Sequence, residues 1–216
     1  MQFYPIEHHS WVAIDIHHNL GEQVTLLTHK SGSMSCRQLL KKLQQALNVT
    51  GELMDTNFPY HFITADGYTW YVSFSHSRQH AAVLISPYTN IGIDVEDTAI
   101  SHQVASRFFS PRGYQWLNQK PVVNQAVLRN LLWRLKECAI KTHRDADNQL
   151  IKELKHDVLD ELGEEVINHL IGADEINAKD KSKNKPKNKP IQCVQTDAKI
   201  VGNFSSKPCS FIIVNR

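Results

Sequence analysis

The chain changes rhythm just before its midpoint. Up to about residue 97 apolar side chains come in short blocks cut by polar turns, and beyond it they recur every three or four positions. WVAIDI (11–16) and VTLLTH (24–29) predict strands. SCRQLLKKLQQAL (35–47) places Leu39, Leu40, Leu43, Ala46 and Leu47 at helical spacing, with Arg37 and Lys41 on another face and Ser35 as N-cap. YTWYVSF (68–74), AAVLISP (81–87) and NIGIDVE (90–96) predict three more strands. The polar stretch SHSRQH is the turn between the first two, and the second pair is expected to form a hairpin across residues 86–90.

The second half reads as helices over 101–109, 126–143 and 152–172, the last interrupted by Gly163. AKDKSKNKPKNKP (178–190) has nothing apolar to bury and is expected as a disordered, lysine-rich surface loop. IQCVQT, KIVGNF and SFIIVNR close the chain as strands.

Composition narrows the classes. At 216 residues and 41% hydrophobic content the chain can build one large domain or two small ones around a real core. No apolar run approaches the roughly 20 residues a membrane helix needs, and the first residues lack the pattern of a signal peptide. Four scattered cysteines without CxxC spacing suit a reduced, cytoplasmic protein. A net charge of +2 gives no electrostatic case for nucleic acid. Of the twelve histidines, the adjacent pairs His8-His9 and His17-His18 fall in extended segments, where neighbours face opposite ways and make no chelate.

Candidate chemistry begins with Asp94 and Glu96. At i and i+2 on a strand they share a face, with Ile91, Ile93 and Val95 on the other, and Gly92 leaves room for a close backbone approach. Such a pair suits a hard cation such as Mg²⁺, or is simply a strand edge in water. In WRLKECAIK, Trp133, Glu137 and Lys141 form one helical stripe with Lys136 beside it. By themselves these residues also fit a surface ion pair and a core tryptophan.

Four segments in order carry a family likeness: FSHS (74–77), IGIDVE (91–96), RFFSPRGYQWL (107–117) and WRLKECAIK (133–141), with Asp94 and Glu137 43 positions apart. Over residues 70–141 the sequence resembles the 4′-phosphopantetheinyl transferases of the monomeric, two-lobed type. The resemblance implies transfer of the phosphopantetheine arm of coenzyme A to a serine of an acyl or peptidyl carrier protein, with release of 3′,5′-ADP. It implies Mg²⁺ on Asp94, Glu96 and Glu137, and Lys141 and Lys136 on the diphosphate. Glu137 or Glu96 would take the serine proton, and Ser75, His76 and Arg37 would contact coenzyme A.

The implied fold is α+β: two similar α/β lobes related by a pseudo-two-fold axis, with the active site at their interface. The expected division is an N-terminal lobe over 1–100 and a C-terminal lobe over 101–216, in a monomer with no nucleic-acid or membrane partner. The lysine-rich loop could steer an acidic carrier protein or be a passive insertion. The sequence departs from the family at Gly113, where an acid is usual, and after Lys141, where a glycine turn is usual. These departures leave a degenerate relative that binds coenzyme A or a carrier without turnover as the alternative. A different Mg²⁺-dependent phosphoryl-transfer enzyme ranks behind both, since no GxxxxGK loop is present.

Overall fold

Apolar blocks bounded by turns become strands, and the segments of helical period become helices. The computed structural model describes residues 2–6, 10–16, 29–78, 80–142, 157–171, 191–195, 199–204 and 209–214. Their order is β1 (Gln2–Ile6), β2 (Ser10–Ile16), α1 (His29–Ala46), β3 (His61–Ile63), β4 (Thr69–His76), β5 (His80–Ser86) and β6 (Asn90–Val95). Then follow α2 (His102–Phe108), α3 (Pro111–Asn118), α4 (Val122–Thr142), α5 (Val158–Leu162), α6 (Glu164–Ile171), β7 (Ile191–Gln195), β8 (Lys199–Phe204) and β9 (Cys209–Val214). Every strand pairing is antiparallel, so the class is α+β. A five-stranded sheet runs β1-β2-β5-β4-β3 and a four-stranded sheet runs β6-β9-β8-β7.

The apolar residues sort into layers. Leu39, Leu40 and Leu43 of α1 pack on Phe62, Val72, Val83 and Ile85 of the first sheet. Leu84 meets Ile91, Ile93, Val95, Phe211 and Ile213 between the two sheets. On the far side of the second sheet, Leu128, Leu131 and Leu135 of α4 join Ile167, Leu170, Val201 and Ile212. The order is thus helix, sheet, sheet, helix. Among the described residues no helix is long and apolar enough to cross a membrane.

Several expectations are corrected. The hairpin between 81–87 and 90–96 does not form, because both edges of β5 are taken, by β2 and by β4. Its continuation β6 crosses to the second sheet and pairs with β9. The strand that carries the acids therefore opens the second sheet. Ser35 lies inside α1 and does not cap it: the helix starts at His29, in a stretch where Gly32 and the lack of an apolar period hid it. The strand expected at 24–29 falls on residues 24–28, outside the described residues, and on the first residue of α1.

Helix α3 was missed, although Ser110 caps it by accepting from the Gly113 amide and Pro111 follows at its first turn. The helix expected over 152–172 is split into α5 and α6 by Gly163, whose φ of 81° ends the first. The lysine-rich stretch 178–190 lies outside the described residues.

Candidate active site

β6 is an edge strand, and an edge exposes backbone groups that need partners. Here they are met by side chains. Ser73 and Ser75 of β4 accept from the amides of Ile93 and Val95, each at 3.2 Å. Lys141, at the end of α4, donates to the Ile93 carbonyl at 2.6 Å. The two sheets and α4 thus converge on the last residues of β6.

Asp94 lies at this convergence, 7% exposed. Its Oδ1 accepts from Ser75 Oγ at 2.8 Å and from Lys141 Nζ at 3.1 Å. Among the described residues no hydrogen bond reaches its Oδ2, so a buried carboxylate oxygen is left without a partner. The family-derived trio Ser75, Asp94 and Lys141 is therefore brought together. Ser75 is committed between the Asp94 carboxylate and the Val95 amide, the geometry of a residue that orients Asp94.

Glu96 departs from the simple alternation. The strand ends at Val95, so the i, i+2 rule no longer aims this side chain, and its Oε1 accepts from the Thr98 amide at 2.7 Å. Glu137 lies on α4 one turn before Lys141, half-buried. Among the described residues no three His, Cys, Asp or Glu side chains are gathered closely enough to hold a metal. Asp94, Glu96 and Glu137 are accordingly not drawn into one cluster.

Trp133 is packing: it meets the Phe108 ring edge-on at 5.8 Å and the Phe109 ring at 6.5 Å. Lys136, 3% exposed, points into the same region and donates to the Phe108 carbonyl. Burial lowers the pKa of its ammonium, with Glu137 and Asp157 opposing. The space beside it, lined by Phe109, Ser110, Gly113 and Asp157, amounts to about 10 Å³, enough for a single water. Gly113 is thus buried in α3 near Ser110 and Asp157, and a side chain there would meet Ser110 Oγ at 3.1 Å. Arg37 forms an ion pair with Asp55, Nε to Oδ2 at 2.9 Å. It sits next to Cys36, whose thiol donates to the Ser75 carbonyl at 3.3 Å, so α1 reaches the end of β4. His76 is the last residue of β4, partly buried.

Sequence reading missed a second polar knot. Asp97 receives hydrogen bonds from Ser77 Oγ and from the His80 ring, and Ser77 Oγ accepts from the His80 amide at 3.2 Å. This ties the β4–β5 turn beside His76 to the segment just after Glu96. Spacing gives no sign of it, because Asp97 meets the Ser77–His80 turn only when the two sheets stack. An open hollow of about 570 Å³, lined by Trp70, Tyr68 and Thr50, lies at the start of β4, the opposite end of the strand from Ser75.

The Cys36 thiol is pushed from 9.0 up to about 11, chiefly by burial, with its bond to the Ala82 carbonyl and the nearby cations opposing. The folded state therefore keeps a proton that the unfolded chain loses, and stability falls as pH rises from about 9 through 11. That difference corresponds to about 2–3 kcal/mol. Urea midpoints measured across that range should fall less steeply for Cys36→Ala than for the native protein. Parallel slopes would show that the thiol does not contribute.

The partnerless, buried Asp94 oxygen fits a hard cation, for which it would supply part of the shell. Residues 90–188, from β6 through α6 and on toward β7, match the family model of the 4′-phosphopantetheinyl transferase superfamily. No curated protein matches the chain.

Proposed function

We propose that this protein transfers the 4′-phosphopantetheine arm of coenzyme A to a serine of an acyl or peptidyl carrier protein, with Mg²⁺, releasing 3′,5′-ADP. The observation that carries this reading is the buried Asp94 carboxylate, fixed by Ser75 and by Lys141, with Asp94 and Lys141 both inside the span that matches the superfamily model. A long helix on the outer face of each sheet, α1 and α4, supports the two-lobed form of the family.

In this reading the carrier serine oxygen attacks the phosphorus next to pantetheine. The bond to the outgoing 3′,5′-ADP breaks, and the serine proton passes to Glu137, or to Glu96, the other carboxylate near β6. Lys141 places a fixed positive charge where the leaving diphosphate oxygen gains negative charge. Mg²⁺, held by Asp94 with Glu96 and Glu137, would supply further charge neutralisation. His76 and Arg37 bind phosphates of coenzyme A, Arg37 after release from Asp55. Lys136, bonded to the Phe108 carbonyl, steadies α4 against α2 and leaves the diphosphate to Lys141.

A second reading, a relative that binds coenzyme A or a carrier protein without turnover, is favoured by the acids not being gathered into one cluster. Intact-mass spectrometry of several apo carrier proteins incubated with this protein, coenzyme A and Mg²⁺ separates the two. Gain of the arm's mass on a carrier establishes the transferase. Coenzyme A binding with no mass gain on any carrier establishes the second reading.

A further inference from the structure

Arg134 lies one turn before Glu137 on α4, and its side chain is turned into the protein, 7% exposed. Nε donates to Ser210 Oγ at 3.1 Å and Nη2 to Asn203 Oδ1 at 3.2 Å. Ser210 Oγ donates to Asn203 Oδ1 at 3.1 Å, and Asn203 Nδ2 donates to the Leu170 carbonyl at 3.3 Å. In the strand register Ser210 is the β9 partner of Asp94, and Asn203 is the β8 partner of Ser210. A polar row therefore crosses the outer face of the second sheet. Arg134 lies over its far end and Lys141 is bonded to its near end.

This guanidinium is a charge held among neutral oxygens: among the described residues no carboxylate forms an ion pair with it. A buried cation so placed is expensive to keep unless a negative field offsets its loss of water. Burial pulls its pKa down, and the neighbouring Cys209, Asp94, Cys138 and Glu96 oppose that pull. The nearby carboxylates are thus those of the candidate metal site. Asp94 is bonded to Lys141, and Lys136 lies in the field of Glu137. The acids are matched by cations of the protein itself.

We propose that Arg134 is a built-in counter-charge to Asp94 and Glu96, weakening their hold on a lone divalent cation so that the cation binds tightly only together with a diphosphate. The diphosphate brings the negative charge that the balanced site lacks, and the coupling is reciprocal. The identity of the diphosphate, that of coenzyme A, rests on the transferase reading; the effect of Arg134 on the acids does not.

The test is Mn²⁺ binding followed by electron paramagnetic resonance, with and without coenzyme A, for the native protein, Arg134→Gln and Arg134→Lys. Coenzyme A should tighten Mn²⁺ on the native protein about ten-fold or more. Arg134→Gln should bind Mn²⁺ alone about ten-fold tighter than native, and Arg134→Lys should match native. A folded Arg134→Gln that binds Mn²⁺ no more tightly than native overturns the proposal. If that variant does not fold, the native protein decides, and equal Mn²⁺ affinity with and without coenzyme A overturns it. Coenzyme A binding without tighter Mn²⁺ leaves the transferase reading standing and removes this one. No coenzyme A binding at all removes the transferase reading, and the comparison on Mn²⁺ alone then decides for the counter-charge.

Discussion

Asp94→Asn should lower transfer to a carrier protein by at least about 10³-fold while the protein remains folded. The amide keeps an oxygen to accept from Ser75 Oγ and Lys141 Nζ, so the clasp at the end of β6 persists. What disappears is the negative charge and the carboxylate oxygen that has no protein partner. Asp94→Ala is the less informative variant, since it strands the Lys141 ammonium, whose side chain is 17% exposed. Initial rates from intact-mass measurements, beside thermal melts of each variant, check this. Transfer retained within ten-fold by a folded Asp94→Asn would remove Asp94 from the chemistry.

Gly92→Ala should destabilise the whole molecule by about 3 kcal/mol, the upper end of overpacking costs. For a chain of this size that is a fall of roughly 6–12 °C in melting temperature. A methyl group on Gly92 would lie 2.2 Å from the Cys138 carbonyl oxygen and 2.9 Å from its carbon. Both are helix backbone, so no rotamer change relieves the clash and α4 must lift from β6. Glu137 and Lys141, on either side of Cys138, would move with it, and activity should fall together with stability. A melting temperature within 2 °C of native, judged on the same scale, would show that α4 can shift cheaply.

The two outcomes differ in how far they could be foreseen. Gly92 was read from sequence as a place where something approaches the strand closely, because a glycine inside an apolar strand has few other uses. That the visitor is the backbone of the WRLKECAIK helix needed the fold. Asp94, Glu137 and Lys141 were singled out through the four segments of family likeness, while spacing alone showed only which faces of a strand and a helix they share. The strands at 68–74, 81–87 and 90–96 and the helices at 101–109 and 126–143 were legible because spacing is a local property.

Other features depend on which distant elements stack. The neighbour of β6 could not be read, since β5 and β9 are equally apolar and the choice turned on β5 having both edges occupied. From that choice follow the serines that seal the strand edge, the Lys141 bond to Asp94, and the Ser77–His80–Asp97 knot. Glu96 turns to Thr98 because the strand has already ended. Lys136 and Arg134, which by sequence look like any exposed basic residues on a helix, are buried because α2, α3, α5 and α6 and the second sheet pack around α4. The sequence by itself determined the main strands and helices and which candidate residues sit on them. Tertiary structure decided which of them face one another, because contacts between distant segments are set by the packing of whole faces and by which strand edges are left to fill.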